Sequence, residues 1–222
     1  GIASTTNDYT NTSDASATYP VGTTTILWTV EDIHGNTNTC TQDIVITDTE
    51  NPSITAASAQ TQTADAGICG AAVTVAAPST ADNCSVASIT NDFNGNSDAS
   101  ATYPVGTTII TWTVTDIHGN ENTDTQDITI TDDEAPIANC QDFTINLDPA
   151  TGAASISATD IDNGSSDNCG ITSMSVAPNA FTSANLGANT VTLTVVDAAG
   201  HSVDCTSTVT VTDLTPPVAI CQ

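Results

Sequence analysis

Apolar and polar residues alternate with a period of two along most of the chain. Ile110, Trp112 and Val114 alternate with Thr111, Thr113 and Thr115, and Ile128 and Ile130 with Thr129 and Thr131. Val191, Leu193 and Val195 follow the same rule. One buried and one wet face per segment is the pattern of a half-buried β-strand, and threonine suits the pleated, solvated side. The phrases DIHGN (32–36 and 116–120) and DAAGH (197–201) are glycine-containing turns between such runs and predict hairpins. No segment keeps helical periodicity over 12 residues. Trp28 and Trp112 are read as the central core residues of their sheets.

The strands recur in blocks. Residues 6–36 and 90–120 are identical at 24 of 31 positions, at an offset of 84. A diverged third copy follows at an offset of 81, with VTLTVVDAAG (191–200) in place of ITWTVTDIHG (110–119). Each copy closes on a similar phrase: TDTENP (47–52), TDDEAP (131–136) and TDLTPP (212–217). These phrases set the boundaries. Residues 1–50 are the C-terminal part of a first sandwich, 51–134 a second, 135–216 a third and 217–222 the start of another repeat. About seven short strands in 81 to 84 residues predict an all-β fold of tandem immunoglobulin-like β-sandwich domains in a linear array. Residues 1–50 supply only the last strands of their sandwich, so the face of Ile26, Trp28 and Val30 is expected to lack its opposite sheet.

Charge narrows the function. The 222 residues hold 26 acids, three histidines and no lysine or arginine, for a formal net charge of −26. Nucleic-acid binding needs cations against phosphate, so it is excluded, as is a polybasic membrane anchor. Lysine Schiff-base chemistry and Lys–Asn isopeptide bonds are impossible, and trypsin has no target. No apolar run reaches 18 residues, so no direct membrane insertion is expected. The chain shows no GxSxG, HExxH or carboxylate pair of catalytic spacing and is read as not an enzyme.

The combined phrase YPVGTT-x-I-x-W-T-V-x-D-I-H-G-N, closed by Q-D-I-x-I-T-D-x-E-x-P, resembles the hyalin repeat (HYR) family. That family consists of extracellular immunoglobulin-like modules of about 80 residues. The third copy, with NCQDFTINLD and DIDNGSSDNCGI, is similar to a sister repeat of giant surface proteins of gliding bacteria. The resemblance implies an extracellular structural or adhesive stalk delivered by type IX secretion. Its partners would be neighbouring repeats of the same chain, surface glycans or other cell-surface proteins. Two other readings stand beside it: a glycan- or protein-binding module, with Tyr9 and Phe93 as exposed rings, and a spacer domain of a secreted enzyme.

Seven cysteines without a zinc-type spacing suit a secreted chain. In HYR-like repeats four positions commonly hold cysteine, and that resemblance implies the pairs Cys69–Cys84 and Cys140–Cys205. The first-strand and post-turn positions of the second copy are Ala56 and Asp124, so that pair is lost together. Cys169 is then expected as a free thiol, because its candidate mates are Ala154 and Ser183. Cys40 is expected to pair upstream of Gly1 and Cys221 downstream of Gln222.

Calcium is the candidate cofactor, because hard cations take oxygen ligands. The boundary phrases concentrate carboxylates at Asp48, Glu50, Asp132, Asp133, Glu134 and Asp213, and the turns add Asp32, Asp116 and Asp197. NDFNGNSD (91–98) and DIDNGSSDN (160–168) are further loop candidates. His34 and His118, at matching turn positions, are candidate ligands or turn residues packed on a strand end.

Overall fold

The computed structural model describes residues 1–217, which places Cys221 outside the described residues. The first copy contributes β1 (Ile2–Asn7), β2 (Gly22–Asp32) and β3 (Thr37–Ile46), in one sheet of order β1-β2-β3. The second contributes β4 (Ser53–Thr55), β5 (Gln60–Thr63), β6 (Gly70–Val73), β7 (Ser79–Ala81), β8 (Val86–Asn91), β9 (Ala101–Pro104), β10 (Gly106–Asp116) and β11 (Glu121–Thr131). Its main sheet has the order β5-β11-β10-β8, and β4-β7 and β6-β9 form two small antiparallel ribbons. The third contributes β12 (Phe143–Asn146), β13 (Ala153–Ser155), the one-turn helix α1 (Ala158–Ile161), β14 (Ile171–Ala177), β15 (Ala180–Thr182), β16 (Gly187–Asp197) and β17 (Ser202–Thr212). Its sheet β12-β17-β16-β14 repeats the order of the second copy, with β13-β15 as the ribbon. In both copies the edge strand joins the sheet in parallel, β5 on β11 and β12 on β17. The fold is all-β, built of tandem β-sandwiches.

Each alternating run places its apolar set inward. Ile110, Trp112 and Val114 are fully buried, together with Ala71 and Tyr103 of the β6-β9 ribbon. The third copy centres Val191, Leu193 and Val195 on Phe181, Ile161, Val209 and Val211 in one cluster. Gly70 opens β6 because a side chain there would stand 2.6 Å from the Tyr103 carbonyl oxygen. In the first copy Ile26 is buried, but Trp28 is only half-buried and Gln42 is exposed. The two tryptophans make the same bond, Trp28 Nε1 to Gln42 Oε1 at 2.9 Å and Trp112 Nε1 to Gln126 Oε1 at 3.2 Å. Only Gln126 goes further, donating to Ser58 O and Gln60 Oε1. Trp112→Ala is therefore expected to cost about 3–5 kcal/mol in denaturant unfolding, and Trp28→Ala clearly less.

Helix α1 carries a capping box. Ser157 donates from its backbone N–H (2.8 Å) and its hydroxyl (2.7 Å) to Asp160 Oδ2. These bonds hold the Asp160 pKa below the ordinary carboxylate value. The stability they contribute is complete above the unfolded pKa of about 3.9 and is lost as pH falls through the lower folded value. The melting-temperature gap between the chain and Asp160→Asn should be full well above the ordinary carboxylate pKa and close as pH falls through the lowered folded value.

Contacts divide the chain into two compact units. One comprises Gly1–Thr55, Pro78–Thr90 and Thr113–Asp124; the other comprises Ala56–Ala77, Asn91–Trp112 and the residues from Thr125 on. The first unit contains the boundary phrase TDTENP, and the second contains TDDEAP and TDLTPP.

Cys140 is bonded to Cys205. Cys69 is bonded to Cys169, 100 residues away, and not to Cys84. This corrects both the Cys69–Cys84 pairing and the free Cys169. The reason is placement: Cys69 lies in the unit that holds the third copy, where its Cα is 4.7 Å from that of Cys169, while Cys84 belongs to the other unit. Cys84 and Cys40 are the free thiols among the described residues.

Candidate metal centres

Two aspartate triads occur at equivalent places, one in each unit. The first is Asp48, Asp82 and Asp116; the second is Asp132, Asp167 and Asp197. Within each triad the candidate ligand atoms all lie within 4.8 Å of one another.

The local sequence explains how each carboxylate arrives. Asp116 and Asp197 end β10 and β16 and open the glycine turns, whose Gly119 and Gly200 take φ of +89° and +96°. Asp116 Oδ1 accepts the backbone N–H of His118 (2.8 Å) and Asn120 (2.9 Å), and Asp197 Oδ1 that of Gly200 (2.6 Å) and His201 (2.7 Å). The other oxygen accepts from Asn120 Nδ2 at 2.7 Å in one turn and from His201 Nδ1 at 2.8 Å in the other. His201 thus does the work of the asparagine it replaces.

Asp82 and Asp167 open the triplets Asp82-Asn83-Cys84 and Asp167-Asn168-Cys169, just before β8 and β14. The start of β14 pairs with the turn, Ile171 opposite Asp197, which sets the triplet beside the turn aspartate. Ile117 N–H donates to Ser85 O at 3.2 Å and fixes the same approach in the first unit. The third members, Asp48 and Asp132, follow β3 and β11 in the boundary phrases and accept Glu50 N–H (3.1 Å) and Glu134 N–H (3.2 Å).

In the triplets and phrases, one oxygen is spent on local backbone. The other is left over: Asp82 Oδ2, Asp132 Oδ2 and Asp167 Oδ2 are buried with no partner among the described residues, as is Asn168 Oδ1. Asp48 is 3% and Asp197 0% exposed at the side chain. Buried acceptors without donors, beside like charges in a chain without lysine or arginine, are an unbalanced arrangement unless a cation joins them. The donor set is oxygen, which fits a hard divalent ion such as calcium.

Titration follows the same geometry. Burial pushes the Asp116 and Asp197 carboxyls up, but the hydrogen bonds from Asn120 and His201 and their neighbouring amides outweigh it, and both pKa values lie below the ordinary value. The bond to Asp197 raises the His201 pKa, against the opposing pull of burial. His118 Nδ1 stands 3.2 Å from Asp48 Oδ2. The Cys84 thiol is hydrogen-bonded to Asp48, which with burial and the surrounding aspartates raises its pKa.

Of the carboxylates expected from the sequence, Asp48, Asp116 and Asp132 converge in the triads, as does the turn residue Asp197. The other five, Asp32, Glu50, Asp133, Glu134 and Asp213, lie outside both triads. Glu50 Oε2 accepts from Asn83 Nδ2 (2.9 Å), and Glu134 accepts Gly67 N–H at 3.0 and 3.1 Å through its two oxygens. Asp133 is exposed, and Asp213 Oδ1 is spent on Thr215 N–H at 2.9 Å. The DIDNGSSDN loop contributes Asp167, whereas in NDFNGNSD Asn94 Oδ1 accepts Asn96 N–H, Asp98 Oδ1 accepts Ser100 N–H and Asp92 Oδ1 accepts Thr111 N–H of β10. Asp82 was not among the expected ligands; its signal is the Asp-Asn-Cys triplet shared by both boundaries. Tyr9 and Phe93 are each stacked on a tyrosine, Tyr19 at 4.7 Å and Tyr103 at 4.5 Å, so one ring face is covered.

Among solved structures, a human mucin-like protocadherin EC1-2 fragment aligns with a TM-score of 0.44 at 13% identity, covering 73% of this chain and 98% of that one. A protocadherin gammaB7 EC3-6 structure aligns at 0.39 and 18% identity, covering 90% and 62%. Hyalin of Strongylocentrotus purpuratus is 30% identical over 210 residues, and hyalin of Lytechinus variegatus 32% over 212. These alignments cover 90% and 91% of this chain but only 17% and 39% of the two relatives. Residues 47–130 match the HYR domain, so the chain carries an HYR domain within tandem repeats that are distantly similar to hyalin over most of its length.

Proposed function

We propose that the chain is a segment of an extracellular stalk or adhesive filament whose repeat boundaries are braced by divalent cations, with calcium as the physiological ion. The observation that carries this reading is the pair of equivalent aspartate triads with buried, unpartnered oxygens. Each triad draws one ligand from a boundary phrase and two from the copy that follows. A bound dication reverses the sign of the interaction among them and fixes the phrase against the triplet and turn. The work is mechanical, and the disulfides add resistance to unfolding. The likeness of residues 135–216 to repeats from surface proteins of gliding bacteria supports attachment or gliding as the setting. Its partners are then neighbouring repeats and a glycan or protein on the opposing surface.

Single-molecule stretching of the chain tests this role. Calcium is expected to raise the unfolding force over that in chelator at matched ionic strength, and Asp82→Asn with Asp167→Asn to remove the difference. Equal forces in calcium and chelator would defeat the reading.

A further inference from the structure

The Cys69–Cys169 bond joins two different sequence copies. Cys69 belongs to Gly67-Ile68-Cys69-Gly70 of the second copy, and Cys169 to the Asp-Asn-Cys triplet of the third. The second copy has its own triplet, and its Cys84 is free. The two triplets are built alike: Cys84 N–H donates to Asp82 Oδ1 at 2.8 Å, and Cys169 N–H to Asp167 Oδ1 at 2.8 Å. Asn168 Nδ2 also holds the Ile68 carbonyl of the bonded loop at 3.3 Å. Asn83, its counterpart, has no such loop and is turned to Glu50.

The other free thiol fits the same scheme. Cys40 stands at the position of Cys205, whose mate Cys140 lies ahead of β12 in the first half of its copy. At the offset of 84, residue 1 corresponds to residue 85, so the counterparts of Cys69 and Ala56 are not among the 222 residues. Both free thiols thus occupy positions whose mates belong to the first half of a copy.

We propose that Cys84 is the acceptor of a disulfide from the Gly-x-Cys-Gly loop of a repeat set before it, so that a covalent staple sits beside each aspartate triad. The bond forms by exchange with a small-molecule disulfide. One thiolate attacks it and releases one thiol; the second thiolate attacks the mixed disulfide and releases the other. Two protein thiols are oxidised and one disulfide is reduced to two thiols. Once bonded, Cys84 no longer donates to Asp48, which leaves His118 Nδ1, at 3.2 Å, as the side chain beside Asp48 Oδ2. The staple itself does not depend on the cation reading.

The test places a second copy of residues 51–84 directly before Gly1, with the added triplet cysteine changed to serine. The fusion is refolded in a glutathione buffer, alkylated, digested with pepsin and mapped without reduction. The expected product is a peptide linking the added Gly-Ile-Cys-Gly cysteine to Cys84, with Cys69–Cys169 and Cys140–Cys205 recovered in the same digest. Alkylated Cys84 in a fusion that keeps those two bonds, or a bond from the added cysteine to Cys40, would overturn the proposal. A second measurement needs no fusion: a peptide of residues 65–73, activated as a mixed disulfide at its cysteine, is offered to the 222-residue chain. Transfer to Cys84 should be faster than to the more exposed Cys40, and faster than with a scrambled peptide. Preference for Cys40, or indifference to the peptide sequence, would count against the loop as the partner.

Discussion

Replacing Cys69 and Cys169 together by alanine should destabilise the chain by about 2–5 kcal/mol, the usual range for removing a native disulfide. Chain entropy makes this bond the stronger of the two, because it closes 100 residues where Cys140–Cys205 closes 65. Its location adds a second consequence. Cys169 is two residues from Asp167, whose position fixes one corner of the second triad. Loss of the bond frees the triplet from the Gly-Ile-Cys-Gly loop, leaving only the contact of Asn168 with Ile68. The double variant should therefore lose stability in chelator and also gain less from calcium. Denaturant unfolding at several calcium concentrations reads both. An unchanged midpoint under non-reducing conditions would show that Cys69 and Cys169 are not joined.

The second large effect is the response to calcium. A ligand that binds only the folded state stabilises it by RT ln(1 + [L]/Kd), about 1.4 kcal/mol at ten times Kd and about 2.7 at a hundred times. For modules of this size that is a rise of roughly 6–20 °C in melting temperature. Sodium chloride at matched ionic strength relieves only general repulsion among the 26 acids, which are screened over about 8 Å at physiological salt. Asp167→Asn should abolish the calcium increment of the second boundary and leave that of the first. Asp133→Asn should leave both, because its exposed carboxylate joins neither triad. The contrast between these two aspartates separates a built site from a diffuse field.

Much of the fold was legible in the residues. Alternation marked β10, β11 and β16, and the glycine turns marked their ends, because burial of one strand face leaves a period of two in the sequence. The half-buried Trp28 follows from a first copy that supplies three strands. The short ribbons β4-β7 and β6-β9 were not legible, since three or four residues carry too little periodicity. In the metal centres, Asp48, Asp116, Asp132 and Asp197 stood out by repeat position. Asp82 did not, because its triplet reads first as a cysteine motif, and only the bond from Ile117 N–H of the turn to Ser85 O shows why its aspartate matters. The cysteine scheme failed at Cys69 for a related reason. The resemblance to HYR-like repeats implied Cys84, whereas the fold brings that loop to a residue of the next copy.

Isothermal titration of calcium into the chelator-treated chain, with ionic strength held constant, tests the central claim most directly. Two ions should bind per chain in a saturable reaction, falling to one in Asp82→Asn or Asp167→Asn and to none when the two changes are combined. Heat that does not saturate, or a stoichiometry that neither change alters, would contradict the assignment of the triads as cation sites.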